Sequence, residues 1–263
     1  MHPHLHLNSP NRKSAATAQA RAFTLVELLV VIGIIALLLA ILLPTLSKAR
    51  QQSHWAVCMS NLNQIGKALT VYALDNHDYL PRPASRSLGP MPDDFLYWQD
   101  GSVVVGYARD MDASPLAKSL NLTGERLKSL FRCPSDNYAD RSATSTKYDP
   151  FRYSYSMNRA WEIVDPPPAV LPLQRLLNPR PTLMQVRRPA EKVLVVEEAN
   201  PNDGRFDWNY VDPSGQITDD KLAERHSGQT DILYNDMHVE RKFWKDIVDD
   251  YNNQKHPFEP TAR

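Results

Sequence analysis

Glycine is scarce in this chain, 9 residues in 263, while proline is common at 21. The scarcity argues against tight glycine hairpins as the main connectors, and the surplus of proline implies long, stiff surface connections. Net charge is also missing: 30 Lys and Arg balance 30 Asp and Glu. Nothing in that balance marks a nucleic-acid binder or an acidic disordered protein. Cysteine is limited to Cys58 and Cys133. In an exported domain the two can form one disulfide, whereas in the cytosol they would be two unrelated thiols. No Cys-x-x-Cys or paired Cys/His spacing occurs, which argues against a structural zinc site. Catalytic signatures are absent as well. There is no nucleophile elbow, no His-Glu-x-x-His and no phosphate-cradling glycine pattern. Ser227 beside His226 does not make an elbow either, so an enzyme is not expected.

What the sequence does have is a long apolar run. Phe23 to Leu43 contains one ionisable side chain, Glu27, and its length is enough to cross a bilayer as a helix. A secretory signal would be shorter and followed by a small-residue cleavage site, but here the small residue, Ala22, precedes the run. Arg12, Lys13 and Arg21 are the only formal charges ahead of it, and they favour a cytoplasmic N-terminus. Lys48 and Arg50 on the far side weaken that bias. Beyond Pro44 apolar residues recur at Leu46, Trp55, Met59, Leu62, Ile65, Leu69 and Tyr72. That spacing predicts an amphipathic continuation of the helix to about Asn76, with a bend at Pro44.

The leader with Ala22 at its end, the run Phe23, Thr24, Leu25, Val26, Glu27, the apolar stretch and Pro44 together resemble the N-terminus of the type IV prepilin family, including type II secretion pseudopilins. The resemblance implies that a prepilin peptidase cuts between Ala22 and Phe23 and methylates the new amine of Phe23. Glu27 and Pro44 stand where the family keeps a Glu and often a Pro, and Ala22 stands where it usually has Gly. A carboxylate in lipid is costly unless it finds a partner. In the family that partner is the N-terminal amine of the neighbouring subunit, which makes Glu27 an assembly residue. The plainer alternative is that Glu27 reaches back to the headgroups.

Cys58 to Gly66, Phe131 to Asp136, Tyr153 to Asn158, and Arg225 to Gly228 followed by Asn235 to Val239 look like the prepilin-like proteins of planctomycete-type bacteria. Those proteins usually end in a His, a spacer of nine and then Asp-Gly. The spacing from His226 to Asp236 is kept here, but Met237 replaces the glycine. If that glycine serves a turn with positive φ, the turn in this chain must differ.

The expected organisation is a basic leader over 1–22 that is removed, a transmembrane and assembly segment over 23–43, an amphipathic continuation over 44–76, and an exported head over 77–263. Loss of the leader takes three of the 30 basic residues, leaving 27 against 30 acidic. The fold class is α+β, a long helix laid on a small antiparallel sheet. Strands are expected at 102–107, 192–197, 231–234 and 238–242, the last two as a hairpin, with short helices at 114–120 and 124–130 and an extended proline-rich loop at 165–181.

Partners implied by the resemblance are copies of the chain or other pilin-like subunits, the peptidase, the secretion or pilus assembly machinery and membrane lipid, with no nucleic acid. The implied location is the inner membrane, head outward. Two other roles remain open at this point, a tethered binding module and a metal-dependent enzyme. No cofactor is expected unless a divalent metal binds His226, Asp236 and His238, with Glu240 on the same strand face. A weaker calcium candidate is the loop carrying Asn202, Asp203, Asp207 and Asp212. Cys58 and Cys133 are the candidate disulfide. The five tryptophans read as core rather than as a carbohydrate-binding face.

Overall fold

Fifty-one residues, Leu25–Asp75, form one helix, α1. The computed structural model describes residues 24–85, 91–98, 110–140, 151–159, 182–207 and 220–250. The bond between Ala22 and Phe23, the expected strand at 102–107, the loop at 165–181 and Asp212 lie outside the described residues. The chain divides into two units, Met1–Lys48 and Ala49–Arg263.

In the first unit the described helical residues are all exposed. The helix starts where Thr24 and Glu27 form a reciprocal cap. Thr24 donates its backbone N–H and its hydroxyl to Glu27 Oε2, each at 2.8 Å, and the Glu27 N–H donates back to Thr24 Oγ1 at 3.2 Å. A Thr followed three residues later by Glu satisfies two orphan donors at a helix start in this way. Pro44 lies inside the helix without ending it. Thr45 Oγ1 donates to the Leu42 carbonyl at 2.8 Å one turn back, a local bond of the kind that accompanies a missing amide.

In the second unit α1 buries Cys58, Asn61, Leu62, Ile65, Gly66, Ala68, Leu69 and Ala73, a stripe at three-and-four spacing. Burial of each large apolar member stabilises by about 1.5–3 kcal/mol. The helix stops when His77 and Asp78 take positive φ, and the Asp78 amide closes onto the Ala73 carbonyl at 2.8 Å. Two short helices follow, α2 over Pro115–Leu120, capped by Ser114 with proline in its first turn, and α3 over Gly124–Leu130. Both match the expected spans.

The sheet has five strands: β1 Tyr155–Asn158, β2 Val193–Glu197, β3 Arg205–Phe206, β4 Gln229–Tyr234 and β5 Val239–Phe243. Their order is β3-β1-β2-β4-β5. Three pairs are antiparallel, but β1 and β3 run parallel. The sheet is therefore mixed rather than antiparallel, because the two-residue β3 reaches its edge from a loop instead of a hairpin. The architecture is α+β, with the C-terminal part of a long helix packed on a small sheet.

Alternation, interrupted by a β-bulge in β2 between Val193 and Val195, decides which face meets α1. Tyr155, Met157, Val195 and Leu233 join the core that contains Leu62, Ile65 and Leu69. Val193, Val196, Ile232 and Tyr234 join a second cluster with Phe206, Leu222 and Ile247, the last from α4, Trp244–Asp250. The β4–β5 turn spans Asn235 to His238, and Met237 adopts φ of 69°. The turn thus keeps the conformation that glycine favours, and the expected departure at Met237 does not occur. Its sulfur packs near Gly66 of α1, where a Cβ added to the glycine would lie 3.6 Å from it.

Candidate functional site

Register places four polar side chains in one row across the sheet face beneath α1. Tyr155 of β1 pairs with Glu197 of β2. Val195 and Val196 pair with Leu233 and Ile232 of β4, and this register continues to bring Glu197 opposite Asp231. Asp231 in turn pairs with Arg241 of β5. Two carboxylates facing each other on one sheet face repel, and both are fully buried.

Two guanidiniums offset that repulsion, Arg241 within the row and Arg225 from outside it. Arg225 reaches Glu197 Oε1 at 3.2 Å and Asp136 Oδ1 at 2.8 Å. Arg241 Nε reaches Asp231 Oδ1 at 3.3 Å. His226 Nε2 lies 3.2 Å from Glu197 Oε2 and 3.6 Å from Asp231 Oδ2. Those two oxygens are buried and make no hydrogen bond among the described residues. Burial pushes the Asp231 carboxyl above its ordinary range, against the pull of His226; Glu197 adds to the rise and Arg241 opposes it. Burial first, then the charge of Glu197, pushes the Tyr155 hydroxyl well up.

His226 is held inward by its turn. Ser227 and Gly228 both take positive φ, and the Gly228 amide closes onto the Glu224 carbonyl at 3.3 Å. The second conformation is natural only for glycine or a strained residue.

Above the row sit the two cysteines. Cys58 of α1 and Cys133 of the loop after α3 are joined as a disulfide, their Cα atoms 5.3 Å apart. Cys133 Sγ is 3.4 Å from His226 Nε2, and the Tyr155 hydroxyl approaches the Cys58 carbonyl at 3.5 Å. The loop is also fixed by polar bonds. The Cys133 amide donates to Ser154 Oγ at 2.8 Å, and Ser154 donates to Asp136 Oδ2 at 2.6 Å. Asn61 of α1 donates to the carbonyls of Ser129 and Arg132.

The segments around Cys58, Cys133, Ser154 and His226, which stand apart in the sequence, therefore meet at one buried point. Among the described residues, Cys58, Cys133, Glu197 and His226 form a group whose ligand atoms all lie within 4.8 Å of one another.

The predicted set of His226, Asp236 and His238 is not brought together. His226 precedes β4 and Asp236 follows it, so six strand residues separate the two by about 20 Å at ~3.3 Å per residue. Asp236 instead pairs with the Nδ1 of His238 at the exposed β4–β5 turn, and the His238 ring stacks on Tyr234 at 4.5 Å. His238 Nε2 is 4.0 Å from Glu240. In the acidic loop, Asp207 Oδ2 pairs with Arg205 at 2.7 Å and its Oδ1 with Arg159 at 3.3 Å, and Asp203 accepts the Arg205 amide. Asp220 accepts the Asp207 amide at 2.7 Å. Burial, with repulsion from Asp207 and Asp203, pushes Asp220 up to about 7. Three tryptophans among the described residues serve packing: Trp98 is buried, Trp55 lies beneath Arg241 and Trp244 packs against the second cluster.

Comparison with known proteins bears on the N-terminal segment. Residues 18–43 match the prokaryotic N-terminal methylation motif. The chain is 42% identical over 66 residues to the type IV wide pilus major component PilA4 of Thermus thermophilus, covering 25% of this chain and 50% of that protein. It is 38% identical over 64 residues to the type II secretion system core protein G of Escherichia coli, covering 24% and 44%. The chain thus spans about half the length of the curated relatives it matches. No solved structure matches it. The resemblance is therefore found by comparison too, the matched motif covering Phe23 and Glu27. The relatives are named as the major component of a wide pilus and as a core protein of a secretion system.

Proposed function

We propose that this chain is a pilin-like or pseudopilin-like structural subunit. A prepilin peptidase cuts it before Phe23 and methylates the new amine, and the helix then packs with copies of itself or related subunits in a type II secretion or type IV pilus-like filament. The observation that carries this reading is the N-terminal helix. From Leu25 through Leu43 its apolar side chains all stand exposed with Glu27 as the lone carboxylate, over residues that match the methylation motif. So large an apolar surface must be covered by lipid or by other helices. In this reading the N-terminus is cytoplasmic, the helix crosses the inner membrane and the head is extracytoplasmic. Glu27 meets the freed amine of a neighbour, which neutralises both charges in lipid.

Intact mass of the membrane-extracted chain tests the processing step. The expected product starts at methylated Phe23, and a chain that keeps residues 1–22 overturns the reading. Glu27→Gln should leave membrane insertion unchanged and abolish incorporation into filaments. Normal incorporation would leave only a tethered head.

A further inference from the structure

The four donors gathered between α1 and the sheet are two cysteine sulfurs, joined here as a disulfide, one imidazole nitrogen and one carboxylate oxygen. This set suits a borderline-soft divalent cation and not Ca²⁺ or Mg²⁺. Zn²⁺ takes such ligands tetrahedrally at about 2.0–2.3 Å, which sets neighbouring donor atoms roughly 3.3–3.8 Å apart. His226 Nε2 already stands 3.4 Å from Cys133 Sγ and 3.2 Å from Glu197 Oε2. Glu197 is completely buried, and its Oε2, facing the sulfurs and the imidazole, makes no hydrogen bond among the described residues. A buried carboxylate oxygen without a donor is a costly arrangement that a cation would relieve.

We propose that Cys58, Cys133, His226 and Glu197 form a tetrahedral Zn²⁺ site in the reduced protein, so that α1 and the Cys133 loop are joined either by the disulfide or by the metal, never by both. A phosphine reductant shows the balance. It passes two electrons to the S–S bond and takes the oxygen of one water as phosphine oxide, and the two protons of that water complete two thiols. Zn²⁺ then displaces both thiol protons to solvent, and His226 offers Nε2 as a neutral ligand. The two thiolates balance the cation, so the charge balance with Arg225, Arg241, Asp136 and Asp231 is unchanged. Cα atoms 5.3 Å apart leave room for rotation about χ1 to part the sulfurs without moving the backbone. All four residues are buried, which keeps water away from the site. The inference does not depend on filament assembly.

The test uses the full chain in detergent micelles, reduced anaerobically with a water-soluble phosphine and titrated with Co²⁺ as a spectroscopic stand-in for Zn²⁺. The expected result is one equivalent bound, with the visible bands of a tetrahedral site and a sulfur-to-cobalt charge-transfer band. Zn²⁺ should bleach both, and the oxidised chain should show neither. Glu197→Gln and His226→Gln should each weaken binding by more than about tenfold, and Cys58→Ser with Cys133→Ser should remove the charge-transfer band. Overturning results are a reduced chain without that band, equal binding by the oxidised chain, or unchanged affinity in the Glu197 and His226 variants. Where a variant does not fold, the reduced wild type decides through its melting temperature. A rise with Zn²⁺ supports the site, and no rise refutes it.

Discussion

The guanidinium of Arg241 lies 3.5 Å from the centre of the Trp55 ring, so the last strand of the sheet is fastened to α1 by a cation over an aromatic face. The same side chain is the ion partner of buried Asp231. Arg241→Ala removes both interactions and leaves a buried carboxylate without its cation, a loss on the order of 3–5 kcal/mol. Arg241→Lys keeps the charge but loses the planar stack and should cost about 1 kcal/mol. Urea unfolding followed by tryptophan fluorescence would rank the two, and equal losses would mean that the stack contributes nothing.

Reduction of the disulfide in metal-free buffer should lower stability by about 2–4 kcal/mol, since the bond closes a loop with a sequence separation of 75. Cys58→Ser should reproduce the loss without reductant. Calorimetry with a chelator present checks both, and unchanged melting after reduction would show that the loop is held by Asn61, Ser154 and Asp136 alone.

Gly204→Ala should destabilise by roughly 1–3 kcal/mol. A Cβ there would sit 2.8 Å from the Phe95 ring and 2.9 Å from the Ala84 methyl, and the Gly204 amide is bonded to the Ala84 carbonyl at 2.8 Å. Neither neighbour is a flexible chain end, so the backbone must move. A denaturation midpoint equal to wild type would contradict this packing.

Asp220 gives stability a pH dependence. Its folded value of about 7 lies above the ordinary 3.8, so between those values the folded chain holds more protons than the unfolded one. Stability from this group is therefore greatest below pH 4 and declines as pH rises toward 7. With discount for partial exposure the decline is on the order of 1–2 kcal/mol. Asp220→Asn should flatten that part of the profile in melts run from pH 4 to 8, and an unchanged slope would assign it to other groups.

Much of the fold could be read from local patterns. The stripe from Cys58 to Ala73, the β4–β5 hairpin, β2 and the Ser114 cap of α2 are local features with local causes, whereas Thr123 precedes α3 without a side-chain cap bond. The parallel β1–β3 pair was not legible, because two residues such as Arg205 and Phe206 carry no alternation to read. The site was legible only in pieces. Its segments were recognisable one by one, yet Cys133 and His226 are 93 residues apart, and only the sheet register and the Gly228 turn bring them together. A ligand search by short spacing fails for the same reason, since each of the four donors comes from a different segment. Likewise, Asp236 and His238 looked like partners of His226 until the length of β4 was known.

The cap at the head of α1 has a bearing on how molecules of this kind could join. Both Thr24 donors converge on one oxygen of Glu27, Oε2. The helix start can stay closed while a second molecule's cation settles on the carboxylate's other oxygen. In the proposed filament, docking and release would then leave the first turn intact, and growth would not have to unravel each unit in order to add it.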